Sequence, residues 1–336
     1  MNPMFQPRFL AVLSRLAARF QNISKALCRC PEIDPVAMLR RDTCLGLQPP
    51  GRWSPNGHCQ LVPARDGWLA VNLARPDDAA TVPAWLGTSP DESPWLAVER
   101  VVPTRLVDEL MPDAALLHMP ISWVGEAPPA WPVLRLPRPV GLVPRPLRVV
   151  DLSALWAGPL AGGLLAEAGA AVIKVESPTR PDPSPQHTAD LDRRLNGLKQ
   201  RMTLALTDPA VTQLIDGASV LITSGRPHAL ARAGLDPERL LSRNPGLLWV
   251  AVTAHGATGD QAMRVGFGDD CAAAGGLVRW EDGTPSFMGD ALADPCCGLI
   301  AAIAALECLA EGQAGLLDVS LSGCAAWIAD AMARPQ

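Results

Sequence analysis

Residues 291–307, ALADPCCGLIAAIAALE, set one acid in front of an apolar run that carries no further charge until Glu307. Two readings fit Asp294. Aspartate is among the strongest N-cap residues, because its oxygen accepts an orphan N–H of the first turn. Proline at the first helical position gives up an N–H that would be unpaired anyway. On this reading Asp294 caps a helix that starts at Pro295 and needs no function. On the other, the carboxylate does chemistry at the head of that helix. These residues alone favour the cap and leave chemistry open.

The other groups that could do chemistry are cations and glycines. Arg180 and Lys199 follow one expected strand, and Arg226 and Arg232 follow another. At strand ends they could hold the phosphates of a nucleotide-like ligand. The stretch DLSALWAGPLAGG, with Glu176 ending the next strand, invites a dinucleotide reading. Its glycines fall as G-x-x-x-G-G at Gly158, Gly162 and Gly163. The dinucleotide fingerprint is G-x-G-x-x-G, and Pro159 removes an N–H that a phosphate would use. A helix starting after Trp156-Ala157-Gly158 still offers free N–H groups and a positive dipole end to an anion or polarised carbonyl. Cys28 and Cys30 are one residue apart, Cys296 and Cys297 are adjacent, and no pair of the nine cysteines has C-x-x-C spacing. No metal site is expected, and reduced thiols in a cytoplasm are.

The surrounding elements must position these groups. At 336 residues the length suggests about two domains. A net charge of -5 argues against a general nucleic-acid or membrane-surface binder. The basic residues are almost all arginine, with lysine only at Lys25, Lys174 and Lys199. Near the N-terminus, Phe9, Leu13, Leu16 and Phe20 recur at helical spacing, interrupted by Arg8, Arg15 and Arg19. That segment cannot span a bilayer and reads as a helix packed on its own protein.

Prolines recur from Pro128 to Pro146. They exclude a continuous helix and a central strand, so residues 126–146 read as a linker. After it, strands at 147–153, 171–176, 219–224 and 247–256 alternate with helices at 158–170 and 236–244. This alternation predicts an open parallel α/β sheet with right-handed crossovers over 147–336. Ligands of such sheets bind at the strands' carboxyl ends, where Ser153 to Pro159 and Thr223 to Pro227 should lie. Before the linker, a strand at 66–74, a helix at 96–110 and a strand at 115–122 suggest a small α+β unit over about 50–125. His58, His118, Asp77 and Asp78 there have no evident role.

VVDLSALWAGPLAGGLLAEAGAAVIKVE resembles the opening motif of the family III (CaiB/BaiF-type) CoA-transferases. The likeness continues in order through NGLKQRMTLAL (196–206), residues 219–259, residues 272–307 and GLLDVSLSGCAAWIAD. It covers about residues 147–330 and implies an open, mostly parallel, Rossmann-like CoA-binding domain with a smaller α+β domain. It implies an acyl-CoA:carboxylate CoA-transferase, with CoA thioester as substrate, a carboxylic acid as partner and no permanently bound cofactor. The nucleophile position corresponds to Asp294, so the resemblance turns the reading of that residue toward chemistry. It also implies a CoA-binding set of Trp156, Ala157, Gly158, Lys199, Ser224, Arg226, Arg232 and Arg264, and a homodimer.

The sequence departs from the family at several points. Trp156 stands where a glutamine is frequent, and Ser177 where a basic residue follows Glu176. No glycine run resembles the loop that shields the anhydride in some members. The histidine that superfamily racemases use corresponds to about Phe267, which disfavours racemase or isomerase chemistry. A catalytically idle CoA-binding protein, with Trp156 filling the pocket, is the other alternative. Residues 54–78 resemble the family's small domain, which ordinarily follows the CoA-binding half, so the order of regions looks permuted or fused.

Overall fold

The computed structural model describes residues 5–25, 27, 29–41, 45–141 and 146–334; Cys28, Cys44 and residues 142–145 of the proline-rich segment lie outside them. The N-terminal half runs α1 (Pro7–Ser24), α2 (Pro35–Met38), β1 (Cys59–Pro63), β2 (Trp68–Asn72), α3 (Pro76–Leu86), α4 (Pro94–Val101), α5 (Val107–Leu116) and β3 (Ile121–Trp123). It leads into β4 (Val133–Pro139), β5 (Arg148–Asp151), α6 (Ala157–Glu167), β6 (Ala171–Glu176), α7 (Ser184–His187), α8 (Ala189–Asn196) and β7 (Gln200–Thr203). There follow α9 (Pro209–Asp216), β8 (Val220–Thr223), α10 (Pro227–Arg232), α11 (Pro237–Arg243), β9 (Leu248–Thr253) and α12 (Gly268–Ala274). Last come β10 (Val278–Glu281), β11 (Thr284–Phe287), α13 (Ala293–Ala310), β12 (Gln313–Ser320) and α14 (Leu321–Ala333).

The second half forms the expected open α/β sheet. Its order is β4-β12-β9-β8-β5-β6-β7, parallel except where β4 pairs antiparallel with β12. Apolar runs buried on both faces are what a parallel sheet demands. Val149, Ile222 and Val250 face the core under α6 and α13, whereas Val150, Leu221 and Trp249 face the layer of α9 and α11. The chain leaves β5 in both directions, so the loops after β5 and β8 diverge and open a crevice at their carboxyl ends. The Ala154 N–H bonds Ser224 Oγ across that crevice at 2.9 Å.

Two expectations are corrected here. Residues 126–146 are not only a linker, since Val133–Pro139 is an edge strand of the large sheet. An edge tolerates the missing N–H groups of Pro137 and Pro139. In the small half, the single helix expected at 96–110 breaks at Pro103 into α4 and α5, joined by a 3₁₀ turn at Val102–Thr104. Residues 115–116 end α5, so the strand expected at 115–122 shrinks to Ile121–Trp123.

The three-stranded sheet β1-β2-β3 is antiparallel and buried on both faces. Val62, Leu69 and Val71 pack against α3–α5, while Leu61 and Ala70 pack against Ala273 of α12 and Phe287 of β11. Alternation along each strand thus ties the small half to the helix beside the site. Helix α1 buries Phe9, Leu13, Leu16 and Phe20 against α13 and α14. The apolar length of α13 would suffice to cross a bilayer, and it is mostly buried as the core helix between α1, α6 and α14. Gly298 lets α13 and α6 touch, because a Cβ there would meet the Ala157 carbonyl oxygen at 2.6 Å.

Candidate active site

Helix α13 begins two residues earlier than the cap reading requires. Its N-cap is Leu292, so Asp294 is the second helical residue and caps nothing with its side chain. The carboxylate faces a cavity of about 320 Å³, partly open to solvent, whose wall includes Arg41, Asn56, His58, Arg75, Trp156, Phe267 and Asp269. Gly268 makes room for it, since a Cβ there would collide with Asp294 Oδ2. Burial, reinforced by Asp269 and Asp290, pushes the Asp294 carboxyl up to about 7, with Arg41 pulling the other way.

The neighbouring acids are held in place. Asn56 Nδ2 donates to Asp269 Oδ2 at 2.6 Å and to Asp290 Oδ1 at 2.7 Å. Arg41 pairs with Asp290, Nε to Oδ2 at 2.6 Å, and its guanidinium lies 5.3 Å from the Trp156 ring centroid. Burial and Asp290 push Asp269 up to about 6. Among the described residues no hydrogen bond engages the Asp294 carboxylate; the acid facing the cavity is the one left free. Two non-glycine residues of the wall, Leu155 (φ 70°) and Ala291 (φ 46°), are left-handed. Each is pinned by a carboxylate, Leu155 N–H to Asp182 at 3.1 Å and Ala291 N–H to Asp269 at 2.7 Å. Strain held in this way concentrates at functional sites.

The structure separates the residues expected to bind CoA. Trp156 is in the cavity wall, 3% exposed, with Nε1 buried and without a hydrogen-bond partner among the described residues. It leaves the cavity open rather than filling it. Ala157 and Gly158 are buried behind it, Gly158 against Ser153, and do not line the cavity. Ser224 sits at the crevice and orders the loop after β5. Arg226 and Arg232 bracket α10, and burial lowers Arg226 further in the company of Arg75, Arg232 and Arg180. These guanidiniums gather like charge where the strands end.

Lys199 and Arg264 are corrections. Lys199 Nζ is fully buried, bonding Asp151 Oδ2, the Pro159 carbonyl and Asn196 Oδ1 at 2.7–2.8 Å. An ammonium with three acceptors has no donor left for a ligand. Gly162 of α6 sits over this pair and Gly163 over the Leu195 carbonyl, so the small face of α6 serves packing. Arg264 bonds Glu126 and the Ile121 carbonyl and lines a separate cavity of about 350 Å³ with His255 and Asp318.

Arg41, Asn56, Asn72, Arg75, His187 and Asp269 were missed by sequence reasoning. Most lie in the half whose chemistry could not be read, because their meaning depends on a fold partner far away in sequence. Only the Asp269-Asp270 pair, charged residues opening an otherwise apolar helix, carried a visible hint. His255, Asp270 and Cys271 also bring ligand-type atoms within 4.8 Å of one another. Asp270 is occupied there, accepting from Asn72 Nδ2 at 2.8 Å and Phe267 N–H at 2.9 Å.

Comparison with known proteins bears on this site. A sequence model of CoA-transferase family III matches residues 145–334. Succinyl-CoA–D-citramalate CoA-transferase of Chloroflexus aurantiacus is 33% identical over 202 residues, covering 53% of this chain and 50% of that protein. A probable fatty acyl-CoA transferase of Mycobacterium tuberculosis is 34% identical over 190 residues, 51% of this chain and 48% of that one. The crystal structure of a CaiB/BaiF family protein from Brucella suis is 30% identical with a TM-score of 0.49, covering 54% of this chain and 53% of that chain. The chain spans about half the length of the curated relatives it matches. The matched span holds the loop after β5, the arginines of α10 and Asp294, and by that match the chain belongs to CoA-transferase family III.

Proposed function

We propose that this protein transfers CoA from an acyl-CoA donor to a carboxylic acid, with Asp294 as the covalent nucleophile. The observation that carries this reading is the unpaired Asp294 carboxylate facing a cavity of about 320 Å³ beside the strand-end crevice. That volume falls in the range of small-molecule sites.

Asp294 attacks the thioester carbonyl, the C–S bond breaks, and CoA leaves as thiolate with an acyl-aspartyl anhydride behind. The thiolate attacks the aspartyl carbonyl, releasing the donor's carboxylate and leaving an aspartyl-CoA thioester. The acceptor carboxylate attacks that carbonyl and expels the thiolate, giving a second anhydride. Attack of the thiolate on the acceptor's acyl carbon yields the new acyl-CoA and returns Asp294. Covalent catalysis here splits one hard transfer into easier steps. A raised carboxyl keeps its nucleophilicity, provided the pH is high enough to ionise it. Trp156 Nε1, buried in the cavity wall without a hydrogen-bond partner among the described residues, is the donor that would support the oxyanion. Arg180, Arg226 and Arg232, with Arg75 beside them, supply charge for the phosphates of CoA. A homodimer is part of the proposal, and a monomeric sedimentation profile at micromolar concentration would remove it.

The test is interception. Wild-type protein given succinyl-CoA (the donor named for several relatives) and hydroxylamine should carry a hydroxamate at Asp294 by mass spectrometry. A label on Asp290 instead, or CoA binding with no label for a panel of donors, would overturn the nucleophile; the latter would point to an idle CoA binder. Phe267 in the cavity wall supplies no base for racemase chemistry.

A further inference from the structure

The N-terminal half lies outside the family match, yet one of its side chains is built into the nucleophile's loop. Asn56 is satisfied at both ends. Its Oδ1 accepts Ser54 Oγ–H and His58 N–H, each at 2.9 Å, so its Nδ2 must face the acids. There its two hydrogens reach Asp269 Oδ2 on α12 and Asp290 Oδ1 in the loop before α13, at 2.6 and 2.7 Å. The other oxygen of Asp269 accepts the Ala291 N–H at 2.7 Å, and the Ala291 carbonyl accepts the Asp294 N–H at 3.0 Å. A hydrogen-bonded path therefore runs from Asn56 through Asp269 and Ala291 to the backbone of the nucleophile.

Ala291 explains why the path is needed. A left-handed alanine is strained, so a free loop would relax toward negative φ and re-aim the first turn of α13. We propose that Asp269, oriented by Asn56, is a positioning residue for the proposed CoA transfer: it clamps the left-handed Ala291 peptide and so holds the Asp294 carboxylate toward the cavity. This rests on Asp294 being the nucleophile. The N-terminal half then helps assemble the catalytic loop, beyond covering it. The clamp carries a cost in charge. Groups that bear on Asp294 are Arg41 from the N-terminal segment, Asp269 and Cys271 of α12, Asp290 of the loop, and Cys296 and Cys297 of α13. His58, Arg75 and His187 stand around the same cavity. Asp269 is one of the two acids that raise Asp294, so removing it disorders the loop while easing ionisation of the nucleophile.

Those opposite signs make the test. In the full chain, Asp269→Ala should lower the plateau kcat by at least about tenfold, the scale of a small misplacement of a reacting group. KM for the CoA thioester should stay within about twofold, and the acid limb of the kcat profile should move to lower pH. General loosening of the fold would lower kcat without that downward move. Asn56→Ala, which removes only the outer support, should lower kcat less at unchanged KM, and it carries the test if Asp269→Ala does not fold. An unchanged plateau in both variants, or an unmoved acid limb in a folded Asp269→Ala, overturns the clamp. Absence of an Asp294 label in wild type overturns the transferase reading instead, and the clamp with it.

Discussion

Two clusters of acids in the molecule behave in opposite ways. Asp151 meets Lys199 at 2.7 Å, and Asp182 meets Lys174 at 3.4 Å, with all four side chains 0–2% exposed. Burial pushes Asp151 up, but Lys199 and Lys174 outweigh it and hold the carboxyl below its ordinary range. In the other cluster, Asp269 and Asp290 share the Asn56 amide and Asp290 pairs with Arg41, while the Asp294 carboxylate has no hydrogen-bond partner among the described residues; burial raises Asp269 and Asp294. The residue type is the same in both clusters. The balance of partners decides which acid is a strut and which can react.

The largest expected effect sharpens that contrast. Asn can replace Asp in shape but cannot form an anhydride, so Asp294→Asn should keep the fold and lose at least roughly 10³-fold in turnover, about 4 kcal/mol of barrier. Full activity in this variant would put Asp294 among the struts. Next comes the paired cluster. Lys199→Met leaves Asp151 buried with a poorer partner and should destabilise by about 3–5 kcal/mol, seen as a clear fall in melting temperature. CoA affinity of the folded fraction should change little. Lost CoA binding at unchanged stability would break the comparison from that side.

Arg232→Ala should weaken CoA binding by about 1–3 kcal/mol, the range for a lost charged hydrogen bond. Pantetheine thioesters should be far less affected, and equal losses would show that this arginine does not meet the phosphate end. The smallest effect is on stability. The folded Asp294 carboxyl is raised to about 7 from an ordinary 3.8, so folding favours its protonated form. That stabilisation is present at low pH and is lost as pH rises through about 7. Asp294→Asn should therefore melt a few degrees above wild type at pH 8, with the gap closing toward pH 4. A constant gap across that range would mean that the carboxyl is not raised.

The contrast between the clusters was invisible along the chain. Lys199 comes just before β7, and nothing local reveals that Asp151, Pro159 and Asn196 enclose it. Asp294-Pro295 is a good local cap signal, and it was overridden because Leu292 takes the cap position and the helix already starts at Ala293. Arg264 sits in the matched region, yet Glu126 from the other half claims it.

By itself the sequence determined the parallel sheet and the register of its motifs, because apolar runs, glycines and helix starts express backbone preferences within a few residues. It also determined that α1 would bury a stripe of Phe9, Leu13, Leu16 and Phe20, since helical periodicity is a local property. Tertiary structure alone decided which acids are paired, that Val133–Pro139 closes the sheet's edge, and that Asn56 reaches Asp269 across 213 residues of chain. Ionisation and hydrogen bonding depend on distances of a few ångströms, and only folding sets those distances between residues so far apart in sequence.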